Sequence, residues 1–113
     1  MPFHQTKSIL YYTFDIFDAA ITQAVFTRQG GISPMPFAAL NMSISVDDTP
    51  ENVDENRGLA FEALGREPAS LYDVWQVHGT HVICADAPRR EPPIKADAIL
   101  TDNPAVTLFM RFA

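Results

Sequence analysis

Apolar and polar positions along this chain alternate in short bursts, and they predict brief extended segments around a single helix. Residues 8–17, Ser-Ile-Leu-Tyr-Tyr-Thr-Phe-Asp-Ile-Phe, are rich in Ile, Tyr and Phe and suit a strand or a bent pair of strands. Ile21 to Thr27 reads as a second strand. Arg28-Gln29-Gly30-Gly31-Ile32-Ser33-Pro34 is a turn, because paired glycines permit positive φ and let the backbone approach a ligand closely. Asn41 to Val46 predicts a short strand or an extended arm. The strongest pattern is a helix from about Pro50 to Leu64. Thr49 is a good N-cap, Pro50 fits the first helical position, Glu51 and Asp54 suit the positive helix end, and Gly65 closes it. Val53, Ala60 and Leu64 fall near one face, with Phe61 beside them.

In the second half, Tyr72 to Val77 and Thr80 to Ala85 read as strands around a Gly79 turn. Pro88 to Pro93 reads as a loop, since its prolines block regular structure. Ala96 to Thr101 and Ala105 to Phe112 are further strands, separated by the turn-like Asp102-Asn103-Pro104. Several strands with one helix predict an α+β class, and 113 residues allow one domain at most.

Composition narrows the function. With 47% hydrophobic residues and eight Phe the chain is globular, not disordered. A net charge of −6 argues against a nucleic-acid groove, which needs clustered Lys and Arg. One local Arg can still hold a small phosphorylated substrate. A single cysteine, Cys84, excludes an internal disulfide framework. There is no apolar run of about 18 residues and no N-terminal signal pattern, so the expectation is a soluble cytoplasmic protein without membrane partners.

Four residues invite chemistry. His78, in Gln76-Val77-His78-Gly79-Thr80, can ligate zinc as a neutral imidazole or act as a general base; it can equally be a strand-end histidine bonded to a carbonyl. His81 need not point the same way across the Gly79 turn. Arg28 beside its glycines can clamp phosphate, or simply face solvent at a hairpin end. Its spacing is neither that of a P-loop nor that of a dinucleotide fingerprint. Asn41, after Phe37-Ala-Ala-Leu40, can meet a substrate hydroxyl or base edge, or cap the local backbone. Asp97, inside an apolar stretch, can bind backbone N–H groups or an arginine such as Arg57, or take part in catalysis. Cys84 falls in a strand pattern and reads as a small buried hydrophobe.

Several segments together resemble one family. Phe26-Thr27-Arg28-Gln29-Gly30-Gly31-Ile32-Ser33, Pro36-Phe37-Ala38-Ala39-Leu40-Asn41, the acidic stretch from Val46 to Arg57, Gln76-Val77-His78-Gly79-Thr80 and Ala96-Asp97-Ala98-Ile99-Leu100-Thr101 are similar, in order and spacing, to the motifs of the YfiH-like laccase-domain proteins. These are also called the multicopper polyphenol oxidase or purine nucleoside phosphorylase family. The resemblance implies a four-layer α/β/β/α fold, related to cysteine hydrolases, with residues 1–113 as the N-terminal part of a single laccase-like domain, incomplete at the C-terminus.

It also implies zinc held by His78 together with a cysteine and a second histidine, both expected beyond Ala113. Cys84 does not occupy the family cysteine's position. The implied activity is purine nucleoside phosphorolysis (adenosine, inosine, methylthioadenosine) with adenosine deamination, dependent on zinc in the complete protein. Purine nucleoside and phosphate are the implied partners, with Arg28 and Asn41 as catalytic and substrate-binding residues and Asp97 as a further substrate contact. The alternatives are a copper-dependent polyphenol oxidase and a truncated chain without catalysis. Multicopper chemistry would call for more His and Cys than this chain offers. An exposed C-terminal strand edge predicts self-association.

Overall fold

The computed structural model describes residues 3–17, 19–43 and 46–111, leaving aside the side chains of residues 90–92. Helix and strand are mixed, as expected. The chain divides into two compact units, residues 1–65 and 66–113.

In the first unit, β1 (Phe3–Thr6) and β2 (Ile9–Tyr12) form an antiparallel hairpin, and β3 (Val25–Phe26) pairs with the other side of β2. β1 was not anticipated from the pattern. The strands expected over residues 8–17 and 21–27 are shorter than predicted. The reason lies in Gln23, whose side-chain amide accepts from Phe14 N and donates to Phe14 O, both at 3.0 Å. Those backbone groups therefore need no ladder partner. Residues 41–43 and 46 form no strand, and positions 44 and 45 lie outside the described residues.

The helix α1 (Pro50–Ala63) begins where expected, with Thr49 Oγ1 accepting from Asn52 N at 3.3 Å and Pro50 in the first turn. Leu64 is the C-cap and Gly65 follows at φ +66°, the left-handed conformation that glycine accepts most readily. Val53, Asn56, Arg57, Ala60 and Phe61 form its buried stripe. Leu64 is only half-buried, and two polar residues share the inner face instead. Arg57 is satisfied there by Met42 O, at 3.3 Å from Nε and 3.0 Å from Nη2.

In the second unit, β4 (Leu71–Trp75) lies between β6 (Arg89–Lys95) and β8 (Thr107–Phe109), with both pairings parallel. β5 (Val82–Cys84) and β7 (Ala98–Leu100) form a second parallel pair. Tyr72, Val74, Ala85, Ala96, Ile99 and Val106 make the core. The proline-rich segment is not a loop: residues 89–95 are strand. β6 is an edge strand, and between the Tyr72–Arg89 and Val74–Ile94 pairings it carries extra residues that include Pro92 and Pro93. An edge position and a bulge are where a strand tolerates residues without an N–H donor. β8 lies at the opposite edge. The turn expected at Asp102–Pro104 falls at residues 103–106, with Asn103 O accepting from Val106 N at 3.0 Å and Asn103 Oδ1 from Ala105 N at 2.9 Å.

Candidate functional site

His78 stands on the loop that leaves the end of β4. Three backbone bonds tie this loop to the segment before β7: Ala96 N to Trp75 O at 3.0 Å, Asp97 N to His81 O at 2.9 Å and Ala98 N to His81 O at 3.3 Å. The arc between them, residues 76–80, is exposed. His78 adopts φ +57°, a left-handed conformation that is uncommon for a residue with a side chain. The Asp97 carboxylate closes the arc from within, its Oδ1 accepting from Val77 N at 2.9 Å.

The backbone N–H of Val77 is the chief cause holding the Asp97 carboxyl below its ordinary range. Desolvation opposes it, and the amides of Gly79 and His78 and the His78 charge add to it. Asp97 thus meets backbone N–H groups, the first of the partners anticipated for it. His81 enters through its carbonyl, and its side chain is exposed. Cys84, expected to be buried, is exposed, because β5 turns only Ile83 inward.

In the first unit, Arg28 is exposed, while its carbonyl accepts from Ala39 N at 2.9 Å and Leu40 N at 2.8 Å. The glycines after it serve the chain's own packing. A Cβ on Gly30, at φ +99°, would strike the Ser8 carbonyl, and one on Gly31 would strike Ala39 O and Asn56 Oδ1. The close approach read from these glycines is therefore to neighbouring backbone.

Asn41 is half-buried, and its amide donates to Asp48 Oδ2 at 3.0 Å and Ser43 O at 3.2 Å while accepting from Ser43 N at 3.1 Å. Asp48 also accepts from Ser33 Oγ, from Asn52 Nδ2 at 3.1 Å and from Thr49 N at 2.9 Å. Its carboxyl is lowered from 3.8 to about 2, first by Ser33 and then by Asn41, against desolvation, with Asn52 and Thr49 contributing less. Asn56, fully buried, donates to Ser33 Oγ and Asn41 O at 2.8 Å each and accepts from Ile32 N at 2.9 Å.

The structure thus joins His78 to Asp97 in one loop; it ties Arg28 by its carbonyl to the backbone just before Asn41, and Asn41 to a polar network with Ser33, Asp48 and Asn56. Sequence reasoning missed Asp48, Asn56 and Ser33 as the members of that network. It also missed Asp73, a buried acid on β4 whose Oδ2 lies 3.4 Å from Arg111 Nη2. The available signals were polar residues at apolar positions: Asn56 between Val53 and Ala60 on one helix face, and Asp73 inside Leu-Tyr-Asp-Val-Trp. Among the described residues no group of three or more His, Cys, Asp and Glu can hold a metal ion. These residues offer the exposed His78 imidazole and no complete coordination shell.

Residues 22–113 match the family model described as multi-copper polyphenol oxidoreductase laccase. A purine nucleoside phosphorylase of Streptomyces coelicolor is 39% identical over 82 residues, covering 72% of this chain and 34% of that protein. One from Pseudomonas aeruginosa is 41% identical over 88 residues, covering 78% of this chain and 34% of that protein. The chain therefore spans about a third of the length of the curated relatives it matches. Among solved structures, YlmD from Geobacillus stearothermophilus is similar with a TM-score of 0.83 and 28% identity, covering 99% of this chain and 44% of that one. The YfiH protein of Bacillus licheniformis gives 0.79 and 26%, with the same coverage.

Proposed function

Because this chain belongs to the YfiH-like multi-copper polyphenol oxidoreductase laccase family, we propose that the complete protein is a purine nucleoside phosphorylase that also deaminates adenosine. Its relatives' names support the phosphorolysis, and the deamination is what the resemblance of its motifs implies. The observation that carries the reading to this chain is the exposed His78, held in a left-handed conformation on a loop that no core packing requires to expose a histidine. Non-glycine residues in such conformations cluster at functional sites. The four-layer α/β/β/α arrangement belongs to the same proposal, with residues 1–113 as one part of a larger laccase-like domain.

In phosphorolysis a phosphate oxygen forms a bond to the anomeric carbon as the bond to the purine nitrogen breaks, and the base leaves with a proton. The work of the protein is to place an anion and to stabilise a cation-like ribosyl group. Arg28, exposed on a loop fixed by its own carbonyl, is suited to hold phosphate. Asn41 Oδ1 accepts one bond from Ser43 N and has capacity for another, which a ribose hydroxyl or a base amino group can donate. His78 would be this chain's ligand to zinc, and the metal, when bound, supplies activation of water for deamination.

The test is phosphate-dependent release of adenine from adenosine by the complete protein. Arg28→Ala should lower kcat/KM on the order of 100-fold, and His78→Ala should remove the metal measured by elemental analysis. The family description favours a second reading, copper-dependent oxidation of polyphenols. Copper uptake with oxidation of a phenolic substrate, and no adenine release, would decide for it.

A further inference from the structure

The structure assigns to Asp97 the role of positioning residue for His78: its carboxylate holds the Val77-His78-Gly79 turn in the left-handed conformation that turns the imidazole out to solvent. The assignment of that imidazole as a ligand rests on the proposed function; the positioning of the turn does not.

A left-handed backbone costs a residue with a Cβ about 1 kcal/mol or more, so something outside the turn must favour it at His78. Asp97 is placed to do so. Its Oδ1 takes the Val77 amide at 2.9 Å, the peptide group immediately before His78. Its Oδ2 is cut off from water without a direct hydrogen bond. A Cβ added to Gly79 would come within 3.0 Å of that oxygen, so the carboxylate lies against the backbone on both sides of His78. Glycine at position 79 is what leaves room for this approach.

Asp97 is itself anchored, since its own N–H donates to His81 O at 2.9 Å and Ala96 and Ala98 fasten the flanking backbone. One residue therefore grips the loop at both ends, by side chain at Val77 and by main chain at His81. A carboxylate engaged in this way, with its second oxygen buried, acts on His78 and not on a nucleoside. This reading assigns Asp97 differently from the substrate contact expected from the sequence.

Amide hydrogen exchange by NMR on the complete protein tests it, with the amides of β4 as the internal reference for global folding. In the unmodified chain the Val77 amide should exchange at least about tenfold more slowly than its exposed neighbours in the loop. Asp97→Ala should raise the Val77 rate at least about tenfold while the β4 amides stay protected. Backbone couplings at His78 should then lose the signature of positive φ. Asp97→Asn, whose amide oxygen can accept the same bond, should restore both the protection and the sign of φ.

An unprotected Val77 amide in the unmodified chain overturns the inference before any variant is made. So does an Asp97→Asn variant that behaves like Asp97→Ala. Neither readout involves metal or nucleoside, so an inactive complete protein would leave this result standing, and the reverse also holds.

Discussion

Asp48 gathers hydrogen bonds from the side chains of Ser33, Asn41 and Asn52 and from the Thr49 amide, and all of them favour its charged form. Its carboxyl drops from 3.8 to about 2 in the folded protein. A carboxyl lowered on folding adds stability that is complete above its unfolded value and lost as pH falls through its folded value. The window therefore runs from about pH 4 down to about pH 2. Asp48→Asn should melt below the unmodified chain near neutrality, and thermal melts should show the gap closing across that window. A gap that stays constant to acid pH would remove Asp48 as its cause. None of this was legible in the sequence, where Asp48 is one of several acids ahead of the helix. Thr49 and Asn52 are its neighbours in sequence, but its two leading partners are Ser33 and Asn41, which only the folded loop brings to it.

At the scale of elements, α1 was readable almost to the residue, because cap, N1 proline and C-terminal glycine are local signals that tertiary packing leaves alone. The strands were readable as segments but not in extent. Gln23 displaces the ladder at Phe14, and β6 forms despite its prolines because it runs along an edge with a bulge. Those outcomes depend on partners distant in sequence. The inner face of α1 is legible at Val53, Ala60 and Phe61, which are buried, but not at Asn56, which sits where periodicity asks for an apolar side chain and holds three groups of the loop after Gly31. Asn56→Ala should cost about 3 kcal/mol in urea denaturation, because buried partners are left unsatisfied. Thr49→Ala, which removes one exposed cap bond, should cost about 1 kcal/mol. Equal costs would mean that the network does not hold the loop to the helix.

At the scale of the whole molecule, the family motifs were legible in order along the chain, while the geometry around them was not. The Gln-Val-His-Gly motif gave no sign that His78 would take a positive φ, or that Asp97, 19 residues on, would close its turn. Among the described residues, the exposed His78 imidazole has no group of three or more His, Cys, Asp and Glu donors to join. Zinc sites in proteins use at least three protein ligands, and a single histidine holds the ion weakly. The 113-residue chain alone should therefore bind zinc more weakly than about micromolar, on the physical ground that one ligand cannot replace most of the ion's hydration shell. Competition against a chromophoric zinc chelator measures this directly. The complete protein, if it supplies the cysteine and second histidine that the resemblance implies, should win zinc from the same chelator and lose that ability on His78→Ala. Stoichiometric, tight zinc in the 113-residue chain would show that its own residues complete a site, and the proposed division of ligands would have to be abandoned.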